Sequence, residues 1–280
     1  MNRILKIGLV SMTGLLVLVG TGCDKLKSRD KLNKGVSAYK SARYAEAIDN
    51  FKTAIALDPT NPNAKLYLAT AYMTQWIPGA DSPENKQLAD QAKKEFSDVL
   101  SKDPNDKIAL ASLASLAYNQ SGSLQGDAKM AMLDEAKDWN NKLIQADPKN
   151  KEAYYSLGVI AWSKWYPALG RARAELGMKP EDPGPLKDKK VREELKTQYT
   201  TVVDDGIQSL QKALEVDPEY DDAMAYLNLL IREKADLADN ADQYREQIKV
   251  ADDWVQKALE TKKKKAARQP GSTGITQESK

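Results

Sequence analysis

The side chains able to do covalent or acid–base chemistry are few. The chain holds one cysteine, Cys23, and no histidine among its 280 residues. Without imidazole, the commonest general base and the commonest metal ligand are both missing. A single thiol rules out an intrachain disulfide. There is no GxxxxGK[S/T] loop and no GxGxxG turn, so neither route to a phosphate cradle is open. Carboxylates are abundant, but a paired-carboxylate hydrolase needs two of them held at a fixed separation across a cleft. The adjacent pairs Glu193-Glu194, Asp204-Asp205, Asp221-Asp222 and Asp252-Asp253 fall on predicted helices or caps. Charges in such places are solvated faces or favourable helix-start charges. The reading is a protein that is not an enzyme, with no catalytic residues, no metal site and no cofactor.

Cys23 closes a processing signal. Arg3 and Lys6 make the start basic, and residues 7–20 are an apolar run of about 14, short for a bilayer span. A basic start, a short apolar core and small residues before a cut site predict a signal peptide over residues 1–22. Gly20-Thr21-Gly22-Cys23 resembles the bacterial lipoprotein box, with Gly20 standing where the box has leucine. The resemblance implies palmitate-type lipidation of Cys23, which becomes the mature N-terminus, and a lipid-anchored protein of the bacterial cell envelope facing the periplasm. Several acyl chains on one residue anchor stably where a single chain does not. Asp24 resembles the inner-membrane retention residue of enteric lipoproteins, but that rule varies between bacteria, so inner and outer membrane both stay open. The plainer alternative is an ordinary signal or short anchor with an incidental cysteine.

The rest of the chain is organised by repetition. LDPTNPNA at Leu57 is echoed by KDPNDKIA at Lys102, ADPKNKEA at Ala146 and VDPEYDDA at Val216, so the aspartates recur at steps of 45, 44 and 70. An apolar pair precedes each: Ala54-Ile55, Val99-Leu100, Leu143-Ile144 and Ala213-Leu214, with Ala258-Leu259 as a fifth. Seven positions before the first member of each pair is a small residue: Ala47, Ala92, Ala136, Gly206 and Ala251. After the turns come Leu68-Ala69, Leu113-Ala114 and Leu157-Gly158. Apolar steps of three and four predict helices, and Asp-Pro stops one and opens the next. Small residues at fixed places predict closely crossing helices.

This pattern resembles the tetratricopeptide repeat (TPR) over roughly residues 30–261. The resemblance implies an all-α, right-handed superhelical solenoid of about five hairpins. The step near 45 exceeds the usual period of ~34, which predicts lengthened helices or tips. Asn228, Lys34 and Asn140 depart from the family pattern, the last where Phe51 and Phe96 set a bulky position.

Taken in order, residues 23–29 read as a lipidated cysteine and charged tether. The first hairpin turns at Ser41-Ala42-Arg43, and the second has a Pro/Gly loop over Trp76–Pro83. The fourth carries an insertion at about 163–203: an extra short helix over Ala168–Met178, a proline-rich break, and an extension of the second helix over Lys187–Val203. Residues 262–280 read as a basic, disordered tail. Its run Lys262–Lys265 suits a helix C-terminus, or an anionic lipid or cell-wall polymer. Beyond residue 22 the chain has 40 basic and 40 acidic residues, a balance that argues against nucleic acid as partner.

In the TPR family the first helix of each hairpin lines a groove that holds a peptide or helix. Placed on that geometry, the groove receives Leu32, Val36 and Tyr39; Leu66, Thr70 and Met73; Ser115, Tyr118 and Asn119; Tyr155, Val159 and Trp162; and Leu229 and Arg232. The core partner-binding set is Tyr39, Leu66, Thr70, Met73, Tyr118, Asn119, Tyr155, Trp162 and Arg232. It is aromatic and apolar, suited to a protein or peptide segment of the cell envelope. The same residues also suit packing against the next repeat, and the insertion is placed to cover Trp162 and Trp165. Trp139 and Trp254, on second helices, read as structural. The expected function is a lipid-anchored scaffold or adaptor, as in assembly of outer-membrane or pilus and secretion components. The alternatives are a cell-wall- or ligand-binding lipoprotein, or an enzyme with its site in the insertion.

Overall fold

The structure, a computed structural model, describes residues 23–179 and 181–268. The predicted signal peptide over residues 1–22 and residues 269–280 of the predicted tail lie outside the described residues. Among the described residues the regular structure is helical, with no strand. The chain divides into two compact units, one ending at Trp139 and the other beginning at Asn140. The first contains α1 (residues 23–40), α2 (Tyr44–Leu57), α3 (Pro62–Gln75), α4 (Pro83–Leu100), α5 (Lys107–Ser121) and most of α6 (Gly126–Ala146). The second contains α7 (Lys151–Glu175), α8 (Lys189–Val216), α9 (Asp221–Lys234), a 3₁₀ turn over Ala235–Leu237 and α10 (Ala241–Arg268). In the first unit α2 to α5 pack in succession, and in the second α7 to α10 do, as helical hairpins require.

The Asp-Pro turns share one hydrogen-bond scheme. The aspartate N–H closes the outgoing helix: Asp58 to Ala54 O, Asp103 to Val99 O, Asp147 to Leu143 O and Asp217 to Ala213 O. Its carboxylate then accepts from the N–H two residues on, at Thr60, Asn105, Lys149 and Glu219. The residue three after the aspartate caps the next helix through its side chain at Asn61, Asp106 and Asn150. Tyr220 has no such side-chain acceptor for its helix. The recurring tetrapeptide thus ends one helix, makes the Asx turn and starts the next.

The small positions are contact points. Ala47, Ala92, Ala136 and Ala251 are fully buried. A Cβ added at Gly206 would meet the Ala161 Cβ at 2.5 Å, and one at Gly158 would meet the Leu210 side chain at 2.4 Å. The methyl of Ala161 cannot swing away, whereas the leucine can shift. Gly206→Ala is expected to lower unfolding stability by about 1–3 kcal/mol through overpacking. That outcome holds even though alanine is the better helix former by up to ~1 kcal/mol. Gly158→Ala is expected to cost less; denaturant midpoints of both variants check the order. Phe51 and Phe96 fill the bulky position with no exposure, and Asn140 stands buried in its third occurrence.

The second hairpin's tip is pinned by one side chain. Buried Asn85 accepts from Ile77 N–H at 2.7 Å and donates to the carbonyls of Ile77 and Ala80 at 2.8 and 2.9 Å. Asn85→Ala is expected to release residues 77–82. The check is hydrogen exchange at the Ile77 amide, which should accelerate by tenfold or more for a bond worth about 1.5 kcal/mol.

Three segments differ from their sequence reading. Residues 23–29 are helical, the opening turns of α1; Ser28 is buried there and donates to Ala54 O at 2.8 Å. The short helix expected over Ala168–Met178 is the continuation of α7, which runs through Pro167. Proline removes one helical hydrogen bond, but Trp165, Ala168, Leu169 and Ala172 are buried on either side of it, and their packing carries the helix on. It stops at Gly177, whose φ of +66° closes the end with Met178 N–H on Arg173 O and Gly177 N–H on Ala174 O. Lys262–Arg268 of the expected tail extend α10. There Lys265 pairs with Asp221, and Arg268 with Glu219 at 2.6 Å.

Candidate binding surfaces

In the first unit the groove residues lie across neighbouring first helices. Tyr39 of α1 is hydrogen-bonded through its hydroxyl to Thr74 of α3 at 2.8 Å, and its ring meets Tyr44 edge-on. Val36, Tyr39, Leu66 and Met73 are half-buried against the core, while Leu32 belongs to it. The Thr70 hydroxyl turns back to Leu66 O, and Asn119 donates to Ser115. Tyr118 and Asn119 are half-buried on α5. Trp139 packs on this core and donates to Glu135.

The second unit carries a continuous aromatic row. Tyr155 lies 5.2 Å from Tyr220 and 5.5 Å from Tyr226, between ring centres. Tyr226 meets Trp162 edge-on at 5.9 Å, and Trp162 stacks on Tyr166 at 4.9 Å. Tyr155 and Trp162 are half-buried, and Tyr166, at the end of the row, is 45% exposed. Val159, between Tyr155 and Trp162 on α7, is buried. Leu229 is half-buried, and Arg232 pairs with Asp252 and contacts Asn228. Trp165 is fully buried beside Tyr199 of α8, and Trp254 carries Lys257 over its face at 4.1 Å. At the other end Lys151 binds Asp217 at 2.7 Å and lies over the Tyr220 ring. Its hydrogen bond holds the Asp217 carboxyl below the usual range, while burial pushes the Tyr220 phenol up to about 12.

Beyond Tyr166 the row opens into a cleft of about 480 Å³ between α7, α9, α10 and the inserted loop. Tyr166, Leu169, Met178, Asp182, Glu233 and Tyr244 are among its lining residues. Glu233 accepts from Trp162 Nε1 at 2.9 Å, while its other oxygen is buried without a partner. Burial pushes the Glu233 carboxyl up to about 7. Asp236 is also raised by burial and is held by Arg173 at 2.5 Å. Arg173 donates further to the carbonyls of Lys179 and Asp182, and Leu186 N–H donates to Asp236 O, so the insertion is clamped to the fifth hairpin.

Of the sequence-predicted residues of the second unit, Tyr155 and Trp162 stand in one row through Tyr226, while Arg232 lines the cleft with Tyr166 and Glu233. Tyr166, Tyr220, Tyr226 and Glu233 were missed. The spacing of Tyr155, Trp162 and Tyr166 by seven and four marks one face of a helix, a signal that reaches Tyr166. Glu233 carries no such signal, since it sits in a run of charges. The adjacent carboxylate pairs lie on surfaces, several in ion pairs such as Asp204 with Lys234 and Glu193 with Lys196. Among the described residues no three acidic or thiol side chains gather to hold a metal ion, and no helix is long and apolar enough to cross a membrane.

Comparison with known proteins bears on the repeat. Residues 36–75 match a family described as TPR repeat. Among solved structures, the crystal structure of MamA protein is similar, at 16% identity and a TM-score of 0.52, over 89% of this chain and 98% of that one. MamA from Desulfovibrio magneticus RS-1 is similar at 18% identity and a TM-score of 0.51, over 85% and 96%. These likenesses concern the fold. No curated protein matches in sequence.

Proposed function

We propose that this chain is a non-catalytic TPR adaptor of the bacterial cell envelope, anchored by lipid on Cys23 and holding protein segments against its first helices. The observation that carries it is the aromatic row from Tyr220 to Tyr166. Half-buried aromatics that end in an exposed ring and a cleft suit a peptide or helix. The TPR match and the shared fold support a binding role, since hairpin repeats present extended surfaces. The signal-like start and Cys23, which is exposed, support the anchor. Envelope assembly is the setting in which such an adaptor fits, in either membrane.

The test is affinity capture from crosslinked native membranes with the full-length protein, its Cys23→Ser variant, and a Tyr118→Ala/Tyr166→Ala variant. A short, reproducible protein set that the aromatic variant loses is the expected result. Cys23→Ser is expected to abolish palmitate labelling and move the protein out of the membrane fraction. Protein capture unchanged by the aromatic substitutions overturns the surface. Retention on purified cell wall with no protein capture overturns the adaptor in favour of a glycan-binding lipoprotein.

A further inference from the structure

The cleft at the end of the aromatic row has a charge pattern that selects its occupant. Two arginines and four carboxylates line it, but both arginines are committed. Arg173 is matched by Asp236, and Arg232 is matched by Asp252 outside the lining set. Glu181, Asp182 and Glu233 remain without a cationic partner among the lining residues. One oxygen of Glu233 is buried and makes no hydrogen bond. Beside it stand Trp162, which fixes the other oxygen, and Tyr166, stacked on that indole and 45% exposed. An aromatic wall next to an uncompensated carboxylate is an arrangement that attracts organic cations, through the ring faces and through a charge-assisted hydrogen bond. A volume of about 480 Å³ falls in the range of ligand clefts, ~300–1,000 Å³.

We infer that this cleft takes the cationic head of an arginine or lysine side chain belonging to the protein segment bound along the aromatic row. The inference rests on the adaptor reading for the segment itself, and adds to it what the segment must carry. Tyr166, backed by the stacked Trp162, faces the flat guanidinium or the ammonium, Glu233 accepts from it, and Glu181 and Asp182 in the lining attract it. Arg173 keeps the inserted loop in place as the remaining wall.

The probe is acetyl-Ala-Phe-Arg-Phe-Ala-amide, with a counterpart in which citrulline, of the same shape but uncharged, replaces arginine. Both are titrated calorimetrically into the mature protein at pH 8, where Glu233 is ionised. The arginine peptide is expected to bind at least tenfold more tightly. Glu233→Gln keeps an acceptor for Trp162, and is expected to bring the two peptides within about twofold. Tyr166→Ala is expected to weaken the arginine peptide by threefold or more. Equal binding of both peptides by the wild-type protein, or binding of neither, overturns the cation site. Acetyl-arginine amide binding as tightly as the peptide overturns the polypeptide source in favour of a small organic cation. The adaptor reading stands or falls separately, on membrane capture.

Discussion

Arg173→Met is expected to lower the unfolding free energy by about 3–5 kcal/mol, the loss typical when one member of a buried ion pair is removed. Arg173 and Asp236 retain 10% and 6% side-chain exposure, so neither charge can recover hydration when its partner leaves. Asp236 then takes up a proton or draws in water. The carbonyls of Lys179 and Asp182 lose their donor as well. Chemical denaturation measures the loss, and faster proteolysis at residues 179–186 locates it. The paired change Arg173→Met with Asp236→Leu is expected to regain part of the stability, because the stranded charge is gone. It should not regain all, because the loop carbonyls remain unserved. A loss below about 1 kcal/mol for Arg173→Met would mean that the clamp does not hold the insertion.

The second large effect concerns pH. The Glu233 carboxyl is raised by burial from 4.5 to about 7 in the folded chain. Between those values the folded state binds more protons than the unfolded one. Stability associated with Glu233 is therefore fully present below about pH 4.5 and is lost as pH rises through about 7. The span corresponds to about 3 kcal/mol at most. Asp236, also raised by burial, adds a slope of the same sign. Glu233→Gln removes the first contribution and keeps an acceptor for Trp162. It is expected to flatten the profile between pH 5 and 8 and to leave the variant more stable than wild type at pH 8. Parallel profiles for the two proteins would show that Glu233 ionises normally.

The parts of the fold that rest on local backbone chemistry were readable from the chain. Asp58, Asp103, Asp147 and Asp217 announce their turns because aspartate before proline both ends a helix and accepts from the following N–H. Gly206 and Ala47 announce helix crossings because nothing larger fits. The extra helix expected over Ala168–Met178 is not separate, because the burial of Trp165 and Leu169 that carries α7 through Pro167 is a tertiary fact. The same holds for Ser28: five of the six residues Asp24–Arg29 are polar or charged, and only docking onto Ala54 makes the segment part of the fold. In the candidate surfaces, Tyr155 and Trp162 were legible by helical period. Glu233 was not, because its neighbours Arg232 and Lys234 give the stretch the appearance of a solvated face. Only the fold turns that carboxylate inward.

The burial of Ser28 also sets how much slack an anchor at Cys23 would have. Five helical steps separate the two, about 7.5 Å at 1.5 Å per residue. With lipid on that thiol, the leash is shorter than the helix is wide. The first hairpin would then ride at the membrane surface as a stub rather than swing on a tether. Lengthening the leash with a flexible insert after Cys23 would change the height at which partners are met without altering the surfaces that hold them.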